Sequence, residues 1–414
     1  MIGLQALFEN FIETGTQTQP SKFDIGPISS LISYNFYDGL RLRIGGQTTA
    51  NLNTHLFIKG YYGHALKSHQ NYYDTQLTYA FNSPSYLSQE FPKRSVTFES
   101  RRDVALPSDK FMEFDKDNVF ASLKLNDMDK MFLYNSQSIR IEYETFSKFK
   151  CYGEVKTEKV NPIGNIAFER LLQNSSLKDY LRYTEGTIGF RYAPGETYIN
   201  TKQQRWALNY NRPIVRIQHT LGMKGFLGGQ YNYNYTELEV SKPFWLPLNF
   251  GCLEARMMLG AQWNQVPFPL LIMPASNMSI FLDKHAFNLI NNMEFLNDRF
   301  ISFEINWDLN GKILNLIPLL KKLKCREFIG FKGLLGKLTD KNNPYLHENQ
   351  DSEILIKFPE GCNIMNPHKP YLEYSVGLHN IFNLLHIEYI RRLTYLDLPT
   401  SHKSAIKFAL EFKF

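Results

Sequence analysis

The sequence lacks any apolar run that approaches the ~18 residues needed for a membrane-spanning helix. Its longest apolar stretches, Phe268 to Ala275 and Ile313 to Leu320, are short and contain proline. The mean hydropathy is −0.33. These features exclude a helical membrane protein.

Signatures of metal binding and of common catalytic sites are also missing. The four cysteines are far apart, with no CxxC, and the ten histidines include no HxxxH or HExxH pair. No GxSxG motif is present, and GLLGKLT (Gly333 to Thr339) lacks the residues of a phosphate-binding loop. The sequence therefore predicts no metal, no cofactor and no enzymatic activity.

Charge argues against a nucleic-acid partner. The net charge is +6 over 414 residues, and basic residues are mixed with acidic ones instead of forming a patch. Aromatic residues, by contrast, make up 14% of the chain. This surplus of aromatic surface predicts a structure other than an ordinary soluble core.

Alternating strands recur along nearly the whole sequence. In the segment 300–309, apolar positions 301, 303, 305, 307 and 309 alternate with Ser302, Glu304, Asn306 and Asp308. About sixteen such segments occur, centred near residues 31, 45, 60, 77, 98, 141, 154, 187, 213, 235, 256, 290, 304, 331, 376 and 388, and 404–414 adds one more. Barrel strand counts are normally even, so one of these is not a strand, and 98 and 154 are the weakest. Short helices are predicted at Ala167 to Gln173 and Lys312 to Leu323.

The fold class that we predict is all-β: a transmembrane antiparallel β-barrel of about sixteen strands with short helices in loops. β-Sandwiches or a propeller would also alternate, but no internal repeat of 40 to 50 residues is present. The polar faces carry both signs of charge, for example Arg41, Arg140, Glu142 and Glu304. Mixed signs predict cross-strand ion pairs that fill the lumen, in preference to an open ion-selective pore.

The chain ends in IKFALEFKF, where Ile406 and the set Phe408, Leu410, Phe412 and Phe414 share one face. A C-terminal aromatic strand of this kind is a recognition signal for barrel assembly, and we expect it to close the ring on the strand around Ile28 to Phe36. Residues 1–22 form an N-terminal extension that has no basic n-region and is not a clear signal peptide. Residues 23–414 form the predicted barrel.

Three blocks carry a family resemblance: FDIGPISSLISYNFYDGLRLRIGGQTTANLN, the stretch from GAQWNQVPFPLL to FISFEIN, and NLIPLLKKLKCREFIGFKGLLGKLTDKNNP. Over Phe23 to Phe414 the chain resembles the barrel part of an outer-membrane family of unknown function. That family carries an N-terminal carboxypeptidase-regulatory-like domain. Its barrel is distantly similar to the BamA/TamA-type barrels that assemble or move proteins at the outer membrane.

BamA-type barrels fold a Val-Arg-Gly-Phe-like loop motif into the lumen, where its Arg pairs with acidic side chains. By this resemblance, GMKGF would be the corresponding motif, through Gly222, Lys224, Gly225 and Phe226. The implied lumen partners are Glu237, Glu239 and Glu254. A Lys in place of Arg departs from the pattern because it offers no planar fork, and an exposed Gly-rich loop is the alternative.

The resemblance implies a non-enzymatic barrel in the outer membrane of a Gram-negative bacterium, acting in the assembly or translocation of envelope components. Its partners would be outer-membrane lipid, the barrel assembly machinery during biogenesis, and envelope protein clients. The alternative is a passive channel or receptor that binds a ligand through 103–129 or 340–370. A barrel enzyme using His379 and His386, which bracket one turn, is a third possibility.

Overall fold

The computed structural model describes residues 10–16, 18–111, 130–171, 177–208 and 211–410. One antiparallel sheet of eighteen strands dominates, beside two small two-stranded sheets, Phe168–Glu169 with Leu177–Lys178 and Thr197–Asn200 with Arg205–Leu208. In the large sheet each long strand pairs with its neighbour in the chain. This simple up-and-down order is that of the predicted barrel class.

The wall has sixteen strand positions. Two of the eighteen strands, Phe23–Ile25 and Ile32–Asn35, lie end to end along Gly39–Thr48 and together form β1, while Ile12–Glu13 pairs with the outer edge of β1. The other positions are β2 Gly39–Thr48, β3 Leu56–Ala65, β4 Asn71–Ala80, β5 Arg94–Ala105, β6 Lys130–Glu144, β7 Phe149–Gly164, β8 Leu181–Tyr192, β9 Ile214–Gly222, β10 Tyr233–Trp245, β11 Cys252–Gln262, β12 Arg299–Asp308, β13 Arg326–Lys337, β14 Tyr371–Ile381, β15 Leu385–Arg392 and β16 Ser404–Leu410.

The predicted strand count is confirmed, although the non-strand segment is a different one. Centres 98 and 154 lie in β5 and β7. The segment around 290 alternates in sequence but forms no strand; it belongs to the connection 263–298 between β11 and β12. Its apolar residues instead pack among other buried side chains.

Alternation in sequence becomes two chemically different faces. On β12, Ile301 and Ile305 are exposed while Glu304 and Asn306 are buried. On β16, Phe408 and Leu410 are exposed and Lys407 is buried. The apolar face therefore points outward and the charged face points into the lumen, as predicted.

The two ends of the barrel differ. The connections 223–232, 263–298 and 338–370 share one end, which we call the loop end. The short turns 145–148, 246–251 and 382–384 share the other, the turn end, together with 309–325. A large buried cluster at the loop end includes Phe168, Phe268, Leu271, Leu296 and Phe358.

The expected ring closure is absent from the part of the chain that the structure describes. The final strand β16 pairs with β15, and β1 pairs with β2, but within the described residues no ladder joins β1 to β16. Phe412 and Phe414 of the predicted C-terminal signal lie outside the described residues. We call the gap between β1 and β16 the seam.

The predicted helices are shorter than expected. Pro318 interrupts the segment Lys312 to Leu323, which forms a 3-10 turn Leu314–Leu316 and a short α-helix Pro318–Lys322. In the predicted helix Ala167 to Gln173, Phe168–Glu169 instead forms a strand, and residues 172 and 173 lie outside the described residues. None of the described helices has the length and apolar character needed to cross a membrane.

Candidate functional site

The connection 263–298 enters the barrel and is the main feature of its interior; we call it the lumen segment. Its groups contact inward-facing side chains of β12 to β16, namely Glu304, Lys332, Glu373, Arg392 and Lys407. Most of its residues are buried. The lumen is thus occupied by the chain itself over this half of the wall.

A buried ion pair fixes the lumen segment to β15. Arg392 donates to Glu294 through both terminal nitrogens, at 2.6 and 3.2 Å, and both side chains are 0% exposed. Arg392 also donates to the carbonyl oxygens of Leu289 and Thr394. This fork geometry satisfies both charges where water is excluded.

Further contacts use wall charges to satisfy the backbone of the lumen segment. Lys332 of β13 donates to the carbonyl of Ala286 at 2.7 Å, and Glu373 of β14 accepts from the N–H groups of Asn288 and Leu289 at 3.0 and 3.2 Å. A segment with so little regular secondary structure would otherwise bury unpaired peptide groups. The wall charges explain how an irregular chain is held inside the barrel.

The same segment contacts the free edge of β16 at the seam. The Leu282 N–H donates to the Phe408 carbonyl at 2.7 Å, and the Phe408 N–H donates to the Ile280 carbonyl at 3.2 Å. Phe281 and Phe408 thus form an isolated parallel bridge. Lys407 donates to the Asn277 carbonyl at 2.6 Å. Part of the β16 edge is therefore covered by the lumen segment.

Two cavities flank the lumen segment. One of about 470 Å³ is lined by charged wall residues including Lys150, Arg216 and Glu239. The other, about 570 Å³, lies beside Asp283 and Lys332. Burial raises the pKa of the Asp283 carboxyl, although it accepts hydrogen bonds from the N–H groups of His285 and Ala286. Charged side chains from both the wall and the lumen segment line these cavities.

The predicted inward charges pair across strands, which confirms that part of the sequence analysis. Glu239 on β10 bridges Arg216 on β9 and Arg256 on β11, at 2.9 and 3.1 Å. Glu142 on β6 accepts from Lys150 on β7 at 2.6 Å. Oppositely charged neighbours on adjacent strands thus fill much of the remaining interior.

The structure places the predicted loop motif away from the interior. Gly222 ends β9, whereas Lys224, Gly225 and Phe226 are exposed in the connection 223–232. Of the predicted acidic partners, Glu239 is held by the two arginines described above. Glu254 pairs with Lys284 of the lumen segment at 2.5 Å. The segment that reaches Glu254 is therefore 263–298, in which the sequence analysis predicted a strand centred near residue 290.

One signal in the sequence pointed to the lumen segment. The predicted strand centres at 256 and 290 are separated by a longer stretch than most neighbouring centres. The prediction that His379 and His386 bracket one turn agrees with the structure. Their rings stack across the β14–β15 hairpin with centroids 4.3 Å apart, and His379 forms a hydrogen bond with Glu388 at 3.0 Å. Among the residues that the structure describes, no three potential metal ligands are grouped.

Comparison with known proteins agrees with this fold. The profile described as "Family of unknown function (DUF5686) C-terminal domain" matches residues 5–347. No curated protein matches the chain. Among solved structures, BamA from Haemophilus ducreyi lacking POTRA domains 1-3 superposes with a TM-score of 0.56 at 9% identity, covering 96% of this chain and 74% of that one. CdiB from Escherichia coli gives 0.50 at 8% identity, covering 92% and 61%.

Proposed function

The chain belongs to the family of unknown function DUF5686, as its C-terminal domain, and from this premise we propose that it acts in the assembly or translocation of outer-membrane components. It does so as a non-enzymatic barrel in the outer membrane of a Gram-negative bacterium. The fold shared with BamA supports the proposal.

The observation that supports the proposal is the seam, the gap between β1 and β16. Backbone groups left unpaired in lipid cost several kcal/mol each, so closed barrels normally pair every strand edge. Among the residues that the structure describes, β16 is covered on the side away from β15 by a short contact with residues 280–282, and β1 is covered on the side away from β2 by a short contact with residues 10–14. A strand edge that is covered by a short, replaceable contact is a template for adding another strand. The proposed client is an extended segment of an envelope protein.

Membrane insertion of the chain itself follows from its outward face. Phe408 and Leu410 are exposed on β16. We propose that they form, with Phe412 and Phe414, the signal that the barrel assembly machinery reads during biogenesis. The same outward face then contacts outer-membrane lipid.

A passive channel is the weaker candidate. The lumen segment is fixed by buried contacts such as Glu294–Arg392, and paired charges occupy much of the remaining interior. A steady current would require this segment to leave. We therefore propose a plugged barrel, and a large steady conductance in planar bilayers would favour the channel instead.

The domain arrangement is a further part of the proposal. Residues 1–22 would be an extension and 23–414 the barrel, with a carboxypeptidase-regulatory-like domain encoded upstream as in the family that the sequence resembles. Sequencing the full gene tests this, since an upstream signal peptide and such a domain are expected.

Depletion in the source bacterium tests the function. We expect the levels of other outer-membrane proteins to fall on depletion and to recover with the wild-type gene. A disulfide between cysteines at the bridged positions, in Phe281→Cys with Phe408→Cys and without native cysteines, would fix the lumen segment to β16. This locked variant should fail to complement until a reductant is added.

The matched control places the disulfide inside the lumen segment, away from the seam. Ile272 and Asn297 form an antiparallel bridge, so Ile272→Cys with Asn297→Cys fixes the same segment without covering β16. This control should complement under oxidising conditions. Unchanged outer-membrane protein levels on depletion would remove the assembly role.

A further inference from the structure

A group of apolar side chains is exposed at the turn end, in two neighbouring connections. Leu248 in the turn 246–251 and Leu316 in the connection 309–325 are each 79% exposed, and Ile313 and Ile317 are exposed beside them. Single exposed apolar residues are common, but a grouped set marks a surface that something covers. We call these two connections the foot.

The foot is held in place by specific contacts. Lys312 donates to the Leu248 carbonyl at 2.7 Å, and Asn310 donates to the Asn249 side chain at 2.9 Å, which joins the two connections. Glu327 accepts from the backbone N–H groups of Ile313 and Leu314. The apolar side chains are therefore presented by a folded surface.

Positive charge accompanies the apolar group. Between residues 312 and 326 the chain carries five basic residues, Lys312, Lys321, Lys322, Lys324 and Arg326, and no acidic one. Lys321, Lys322 and Lys324 are exposed. Apolar residues combined with lysines match the boundary between acyl chains and anionic headgroups.

The foot is continuous with the outward face of the wall. Trp245 ends β10 and is exposed, and Trp307 near the end of β12 donates its indole N–H to the Phe250 carbonyl at 2.8 Å. Tryptophan is enriched where a barrel wall leaves the acyl region and meets the headgroups. The foot thus begins at the depth where the lipid-facing wall ends.

We propose that the foot is a lipid-binding surface, which inserts its apolar residues into the adjacent leaflet and binds anionic phospholipid headgroups through its lysines. Short barrel turns normally face the periplasm, so the leaflet is the inner one. The inference requires membrane insertion of the barrel but not its assembly role, so the failure of either can be recognised separately.

Reporter fluorescence at position 316 tests the proposal. A Leu316→Cys variant without native cysteines is labelled with an environment-sensitive dye and reconstituted into vesicles of phosphatidylethanolamine and phosphatidylglycerol, with iodide on both sides. We expect quenching by lipids spin-labelled near the headgroup and protection from iodide. Lys321→Gln, Lys322→Gln and Lys324→Gln together should reduce the lipid quenching several-fold, as should vesicles of phosphatidylcholine alone.

The control reporter is at Tyr345, which is 63% exposed at the loop end. A Tyr345→Cys variant should be quenched by iodide and not by the lipids. Heat-modifiable migration on gels confirms that each variant is folded. Iodide quenching at 316 without lipid quenching would overturn the proposal. Protection found in native membranes but absent in vesicles would also overturn it, because a protein would then cover the foot.

Discussion

The two ends of the barrel use apolar residues in opposite ways. At the loop end, the connection 338–370 contributes Leu338, Ile356 and Phe358 to a buried cluster shared with the lumen segment. At the turn end, the connection 309–325 leaves Ile313, Leu316 and Ile317 exposed. At the loop end, other parts of the chain cover the apolar side chains. At the turn end, the apolar side chains are left for the surroundings of the protein to cover.

Charge follows the same division. The connection 338–370 contains five acidic and three lysine residues, whereas 312–326 contains only basic ones. A mixed surface suits water, and a basic apolar surface suits an anionic membrane. Substitutions at the two ends should therefore have different consequences, for stability at the loop end and for lipid contact at the turn end.

The largest expected effect comes from breaking the buried pair that fixes the lumen segment. Glu294→Gln would leave the Arg392 charge buried without its partner and should lower the free energy of unfolding by about 3–5 kcal/mol. Urea unfolding of the barrel in lipid vesicles measures this change.

Two controls sharpen that result. Combining Glu294→Gln with Arg392→Met removes both charges and should recover much of the loss. Lys357→Gln breaks the partly exposed pair with Glu169, at 3.1 Å, and should cost below about 1 kcal/mol. Equal losses from Glu294→Gln and Lys357→Gln would contradict the fixed position of the lumen segment.

Smaller effects on stability are expected when a leucine is replaced by alanine at one end or at the other. Leu271 is fully buried at the loop end, so Leu271→Ala should cost about 2–5 kcal/mol. Leu316→Ala at the turn end should change stability by less than about 0.5 kcal/mol in detergent. The comparison fails if both variants lose similar stability, because Leu316 would then be part of a core.

The strands of the wall could be predicted from sequence because their pattern depends only on neighbouring residues. A strand between lipid and lumen alternates residue by residue, and Ile301 to Asp308 shows both faces without reference to any other part of the chain. The predicted fold class, strand count and inward ion pairs followed from that one pattern. The break at Pro318 was also visible in the sequence, although the predicted helix ran through it.

Most of the candidate site could not be predicted from sequence, because the position of the lumen segment depends on contacts between residues that are far apart in the chain. Residues around 290 alternate like a strand, and contacts with distant strands, such as those of Glu294 with Arg392 and of Leu289 with Glu373, place them in the lumen. The predicted pairing of β16 with β1 is absent from the described residues for the same reason. Sequence showed that β16 needs a partner for its edge, but not that residues 280–282 could supply part of it.

The most direct test of this account is crosslinking at the seam in native membranes. Cysteines at positions 281 and 408 should form a disulfide rapidly and nearly completely on mild oxidation, because the two residues are bridged along the edge of β16. The result that would contradict the account is no crosslink between 281 and 408, together with efficient crosslinking of a cysteine at 408 to one at position 32 of β1. That outcome would mean that the ring closes on itself and that no edge is left for a client strand.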